Sequence, residues 1–236
     1  MKTNSPLIAA ALVASIGSAL AADITGKVTL KGTAPAETPI TVTDPNCGKV
    51  KPPVSKTRFY AAGKDGGLAD VFVWLKEGVT AKPAPAASPV VLDQVGCEYT
   101  PYVIGAQTGQ KINVKNSDQT LHNVHPTPSV AGNKESNRAQ MFGGAPLEFA
   151  FDNQEVFLRF KCDVHPWMFS YVGVVGHPYF AVTDADGNFT IKGVPPGKYT
   201  VEAVHRKSHL KGGNGLAKEV TVDAGGAKAD FVVEVK

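Results

Sequence analysis

The sequence predicts an all-β protein, and three observations carry that prediction. Val- and Thr-rich runs are punctuated throughout by Gly and Pro, 24 and 17 of them, the pattern of many short strands joined by turns. Several runs alternate polar and apolar residues with a period of two, as a strand with one buried face does. Beyond the N-terminal leader, no stretch repeats its apolar residues at helical spacing over a useful length. With 236 residues, 43% of them hydrophobic, the chain can bury the core of one large or two small domains. Its net charge of +3 comes from 24 basic and 21 acidic residues with no long block of either sign. That balance gives no case for nucleic-acid binding and room for only a modest charged patch.

The elements follow in order. Lys2, the apolar stretch Leu7 to Leu20 and the small-residue site Ala19-Leu20-Ala21 make a secretory signal peptide over residues 1–22, with the mature chain starting at Ala22 or Asp23. The competing reading, an uncleaved anchor, needs ~20 apolar residues, and this run is short for that. The expectation is a periplasmic or secreted protein with no stable membrane insertion after cleavage. Asp23 to Leu30 alternates as a strand, and Val71-Phe72-Val73-Trp74-Leu75 is a more continuously apolar one. Lys76 to Pro89, rich in Lys, Pro and Ala, reads as an extended loop. Lys111 to Asn116 alternates and leads into a histidine-bearing segment, while residues 128–147 show no periodicity and read as a long loop. Glu155 to Lys161 and Tyr171 to Val175 are strands on either side of a short loop. Near His177-Pro178 the composition changes. Asp184-Ala185-Asp186-Gly187 is a turn, strands follow at Phe189 to Lys192 and around Tyr199 to Val204, and Glu219–Val222 with Ala229–Val235 suggest a terminal hairpin about Ala224-Gly225-Gly226.

The chemistry concentrates in Cys162-Asp163-Val164-His165-Pro166-Trp167-Met168 and, upstream, in His122-Asn123-Val124-His125. A thiolate, imidazoles and a weakly held thioether are the donors of a mononuclear type 1 copper site, so His122, Cys162, His165 and Met168 are the candidate ligands and one copper ion the candidate cofactor. A strand–loop–strand frame would hold the three clustered donors rigid. The competing readings are a buried free thiol at Cys162 and core packing at Met168. His125 is a candidate further ligand, against the plainer reading of a loop histidine. Once Cys162 is assigned to the loop, export leaves Cys47 and Cys97 as a disulfide candidate; two unpaired thiols, or Cys97 as another metal ligand, are the alternatives. His205, Arg206, Lys207, His209 and Lys211 form a basic cluster whose default is a solvated face. Asp184 and Asp186 lack the distal Glu of a calcium loop.

At these residues the chain resembles the cupredoxins. The Cys162 to Met168 loop is similar to the short ligand loop of amicyanin, and His122-Asn123-Val124, with the preceding run Thr108 to Asp118, to the upstream ligand segment of plastocyanin and its relatives. The resemblance covers roughly residues 100–176. It implies a Greek-key β-sandwich, with His122, Cys162 and His165 as equatorial ligands and Met168 axial. It also implies Asn123 beside the ligands, tying their two loops together. The implied function is transfer of single electrons between transient redox partners, such as a cytochrome c, a dehydrogenase or an oxidase, without enzymatic activity. It further implies that His165 presents its ring edge to solvent within a docking patch that includes Trp167. A copper-handling role, in storage or transfer, is the alternative.

Asp184 to Ile191 and Val194 to Tyr199 resemble the carboxypeptidase regulatory-like domain, a small β-sandwich related in shape to transthyretin, and Ile24 to Val28 is similar to its first strand. The organisation expected is therefore a signal peptide over 1–22, an N-terminal β region over 23–97 that can belong to the regulatory-like sandwich, a copper domain over 98–176 and the regulatory-like sandwich over 177–236. Secreted bacterial proteins that combine the two modules are sometimes labelled methylamine-utilisation proteins.

Overall fold

The computed structural model describes residues 20–49, 56–63, 65–209 and 215–235. The expected signal peptide lies almost wholly outside them, as does Lys211. In chain order the strands are β1 (Ala22–Lys31), β2 (Phe72–Glu77), β3 (Val90–Gln94), β4 (Tyr99–Thr100), β5 (Val103–Gln107), β6 (Ile112–Asn116), β7 (His122–Thr127), β8 (Arg138–Gln140) and β9 (Leu147–Phe149). They continue with β10 (Glu155–Lys161), β11 (Phe169–Val175), β12 (Phe180–Val182), β13 (Asn188–Val194), β14 (Gly197–Val204), β15 (Leu216–Val222), β16 (Ala227–Lys228) and β17 (Phe231–Glu234). One helical turn, α1 (Arg206–His209), follows β14. The all-β expectation holds. Among the described residues, no helix is long and apolar enough to cross a membrane.

The strands form two sandwiches. In the first, β1 pairs antiparallel with β13 and parallel with β16 and β17, and this sheet faces a second of order β12-β2-β14-β15. The apolar residues of the alternating strands meet between them, with Ile24, Val28, Leu68, Val73, Leu75, Ile191 and Val201 fully buried. The other sandwich sets β5-β11-β10-β7-β8 against β4-β3-β6-β9, around Leu92, Val114, Val124, Leu158, Phe160 and Val172. Each sheet contains one parallel pair, β5–β11 in the first and β3–β6 in the second, so between the two strands of each pair the chain passes through the other sheet. Its strands all lie in the chain between β2 and β12 of the first sandwich, so the two modules are nested. Val90–Gln94, which the sequence reading placed on the N-terminal side of the 97/98 boundary, pairs with β6 of the inner sandwich.

The modules are locked by aromatic residues set into glycine gaps. Gly105 and Gly173 stand opposite each other on β5 and β11, and the rings of Phe180 and Phe72 occupy the space where their side chains would be. A Cβ on Gly105 would lie 2.2 Å from the Phe180 ring and one on Gly173 2.4 Å from the Phe72 ring. A bulge between Glu155 and Leu158 puts Phe157 at a left-handed φ of 65°, and its ring packs edge-on against Tyr171 at the same junction.

Two sequence expectations are corrected here. No terminal hairpin forms, because β15 pairs with β14 while β17 pairs with β1. The Asp223–Gly226 turn therefore carries the chain from one sheet of the outer sandwich to the other. Nor are His205 and Arg206 on a solvated face. Both are buried, with His205 stacked on Tyr60 and the Arg206 guanidinium among the rings of Phe59, Tyr102, Phe169 and Tyr171. Arginine's planar, weakly hydrated head suits such a cage.

Candidate metal centre

Three elements deliver the candidate ligands to one end of the inner sandwich. His122 opens β7, Cys162 follows the last residue of β10, and Met168 precedes β11. β10 lies between β7 and β11, so the two loops emerge side by side. The ligand loop is closed on itself: the N–H of Met168 donates to the carbonyl of His165 (2.9 Å), and the N–H of Cys162 to that of Met168 (3.0 Å). Proline at position 166 has no N–H to satisfy inside this turn.

Within the loop, two imidazoles and the thiol converge. The Nδ1 atoms of His122 and His165 are 2.9 Å apart, and Cys162 Sγ lies 3.7 Å from His165 Nδ1. Ligand atoms of all three residues fall within 4.8 Å of one another, and all three residues are buried. The outer ring nitrogens are occupied: His122 Nε2 is 3.0 Å from Asp118 Oδ2 and His165 Nε2 3.0 Å from Asp44 Oδ2. An ionised carboxylate only accepts, so each Nε2 carries the proton and each Nδ1 lone pair is turned inward. Two lone pairs at 2.9 Å need a proton or a cation between them. A carboxylate on the far nitrogen is also the usual companion of a metal-bound histidine. The donor set therefore fits a soft or borderline metal ion.

The electrostatics match. Burial lowers His122, but Asp118 and the Cys162 sulfur outweigh it and raise its pKa to about 8. Burial pushes the Cys162 thiol up, but His122, the N–H of Asn123 and His165 outweigh it and bring the thiol down to about 7. A metal ion that binds such an imidazolium–thiolate pair would have to displace the imidazolium's inward proton, since the thiolate has already lost its own. Burial also raises Asp118, yet bonds from His122 and from the N–H groups of Cys97 and Gly96 hold it below the usual carboxylate range.

Asn123 bridges the start of β7 and the loop after β10. Its Oδ1 accepts the N–H groups of Asp163 (2.6 Å) and Val164 (3.4 Å), and its own N–H points at Cys162 Sγ from 3.5 Å. Met168 is 1% exposed and packs in the same core as Cys162. His125 stands apart from the converging donors, with Nδ1 bound to Asp163 and Nε2 to Glu135, both at 2.7 Å. Cys47 and Cys97 form a disulfide.

One expectation is overturned. His165 does not offer its edge to solvent: it is 1% exposed, covered by Asp44 from the segment before β2. Trp167 is half-buried, its indole N–H donated to the Cys97 carbonyl (3.0 Å). Sequence reasoning missed Asp44 and Asp118. The available signal was an Asp four residues before His122 and another three residues before Cys47 in an Asp-Pro-Asn turn.

No protein-family model matches the chain, and no curated protein matches it in sequence. Among solved structures, it is similar to a copper-containing nitrite reductase from Thermus scotoductus SA-01 at 20% identity, over 42% of this chain and 24% of that one, with a TM-score of 0.34. It thus spans about a quarter of the reductase. Amicyanin in a mutant Cu(I) form is similar at 19% identity, over 41% of this chain and 96% of amicyanin, TM-score 0.33. A purple cupredoxin from Nitrosopumilus maritimus matches at 20% identity over 36% and 98%, TM-score 0.31. Each likeness covers less than half of this chain.

Proposed function

We propose that this protein binds one copper ion and carries single electrons between redox partners in the periplasm or outside the cell. The observation that carries the reading is the inward convergence of two Nδ1 atoms on the Cys162 sulfur, with each outer N–H held by a carboxylate. His122, Cys162 and His165 would hold the metal equatorially, with Met168 as the weak axial donor. Bound copper would supply the Cu(I)/Cu(II) couple. The chain's own residues do the rest: Asp118 and Asp44 fix the imidazole tautomers, Asn123 holds the two loops together, and the buried setting excludes water. A protein-supplied set of four donors leaves no open position for a substrate, which weighs against an enzyme. The Cys47–Cys97 disulfide suits an oxidising compartment.

With the His165 edge covered, the exposed apolar residues beside the site are Val164 in the ligand loop and, next to His122, Leu121, Met141 and Phe142. The pairing of His122 with Gln140 brings Leu121 next to Met141. A redox partner docking there would sit one residue from His122, and such brief encounters need only a small interface.

The test is Cu(II) titration of the mature protein, followed by optical and EPR spectroscopy, beside Cys162→Ala. An intense thiolate-to-copper band at one copper per chain, lost in the variant, is expected. A colourless protein, or one that binds equally well without Cys162, would sink the electron-carrier reading and leave copper handling.

A further inference from the structure

The two aspartates behind the imidazoles belong to a single covalent unit. Asp44 Oδ1 accepts the N–H groups of Asn46 (2.7 Å) and Cys47 (3.4 Å), while its Oδ2 faces His165 Nε2. Asp118 repeats the pattern: Oδ1 accepts the N–H of Gly96 (2.7 Å), and Oδ2 takes that of Cys97 (2.8 Å) together with His122 Nε2. Each cysteine's backbone thus grips the carboxylate that grips one histidine, and the Cys47–Cys97 bond joins the two halves. The Cys47 sulfur lies 3.6 Å from His165 Nε2, and both cysteines are buried.

We propose that Asp44 and Asp118 are positioning residues of the metal centre and that the Cys47–Cys97 disulfide is the clasp that keeps Asp44 on His165, so that metal affinity and potential depend on whether this disulfide is closed. The inference rests on the reading that His122, Cys162 and His165 hold copper. The two halves are not equivalent. Asp118 sits in the turn between β6 and β7, where its own N–H also bonds Asn116 Oδ1 (3.1 Å), and it stays near His122 without the disulfide. Asp44 reaches His165 across 121 residues of sequence, from a segment whose covalent tie to the inner sandwich is Cys47. Cleavage by a dithiol, R(SH)2 + Cys–S–S–Cys → R(S–S) + 2 Cys–SH, consumes one dithiol, breaks the S–S bond and leaves two thiols. Asp44 then loses its covalent tether beside the ring and is left with the weaker contacts of its segment, Val42 against the core and Asn46 Nδ2 on Thr120 Oγ1 (3.5 Å). A carboxylate on the outer N–H makes the imidazole a better donor and stabilises the more highly charged metal ion, and removing such a partner typically costs ~10–100-fold in affinity.

The experiment compares copper-loaded wild type, Asp44→Asn, Cys47→Ser/Cys97→Ser and the triple combination, in chelator competition and redox titration, with visible and EPR spectra. Substitution avoids adding thiol reductant to a copper protein. Asp44→Asn is expected to weaken Cu(II) binding ~10–100-fold. The potential should rise by ~59 mV for each tenfold by which Cu(II) binding falls more than Cu(I) binding. The double cysteine variant should reproduce that change, and adding Asp44→Asn to it should do little more, because both remove the same contact. Additive effects, or a cysteine variant that loses unfolding stability with unchanged affinity and potential, would overturn the clasp. If the cysteine variant does not fold, Asp44→Asn decides: unchanged copper binding and potential refute the role of Asp44. A wild type without the thiolate-to-copper band defeats the copper reading itself and this inference with it, an outcome distinct from the others.

Discussion

The side-chain oxygen of Asn123 accepts the backbone N–H of Asp163 at 2.6 Å, joining the residue after one candidate ligand to the residue after another. The bond spans the mouth of the site, between the start of β7 and the loop that follows β10. Asn123 Nδ2 also reaches Asn137 Oδ1 and Asp163 Oδ2, so the amide is engaged on both sides. Asn123→Ala leaves the Asp163 and Val164 N–H groups without their acceptor and is expected to cost ~1–3 kcal/mol in urea unfolding. Asn123→Asp keeps the acceptor but turns its second oxygen toward Asn137 Oδ1 and the Asp163 carboxylate, where Nδ2 had donated, so it should recover only part of that loss. An Ala variant as stable as wild type would remove Asn123 as the tie between the loops.

Met168 separates packing from ligation. It is 1% exposed, and both its N–H and its carbonyl are spent on closing the loop. Met168→Leu conserves volume and should cost less than ~1.5 kcal/mol, whereas Met168→Ala opens a cavity at ~2–5 kcal/mol. If the thioether is the axial donor, both variants change the copper spectrum and raise the potential to a similar extent despite their different stabilities. A Leu variant with the wild-type spectrum and potential would make Met168 a core residue only.

The loop Cys162 to Met168 and the His122 segment were readable because their chemistry is local: each donor stands within a few residues of the next, and strand alternation on either side sets the frame. Glu155–Lys161 is a strand with the bounds the alternation indicates. A three-residue strand such as β8 is too short to show a period, so it is lost in the stretch 128–147 that reads as a long loop. Asp44 was hidden for a different reason. Its value lies in a contact with His165 made across 121 residues of sequence, and a carboxylate in an Asp-Pro-Asn turn looks like any other turn former. Arg206 misled in the opposite direction: in a run of basic residues it reads as surface, and only the fold brings four aromatic rings around it.

Gly173 tests the lock between the modules. The Phe72 ring fills the space where a side chain at Gly173 would start, 2.4 Å from the position of a Cβ, and Phe72 is fully buried with no room to retreat. Gly173→Ala is expected to lower stability by ~1–3 kcal/mol through overpacking. Trimming the partner, Phe72→Leu, should cost less in the Gly173→Ala background than in the wild type, a coupling that thermal unfolding of the four proteins measures. Strict additivity would mean that the ring does not depend on the glycine gap.

His205 gives the fold a pH dependence of known sign. Its ring is buried against Tyr60. Burial, reinforced by the neighbouring charges of Arg206 and Lys207, lowers its pKa from 6.5 to about 4. The unfolded chain therefore binds this proton more readily than the folded one between those two values. Stability from the neutral ring is complete above pH 6.5 and is lost as the pH falls toward 4. Between pH 7.5 and pH 5 the linkage amounts to about 2 kcal/mol. His205→Phe keeps an aromatic ring on Tyr60 but carries no titrating group, so the gap between variant and wild type in urea unfolding should move by about that amount in favour of the variant as the pH drops from 7.5 to 5. Carboxylate titrations common to both proteins cancel in the difference. A difference that stays constant over this range would show that His205 takes up its proton in the folded protein as readily as in the unfolded chain.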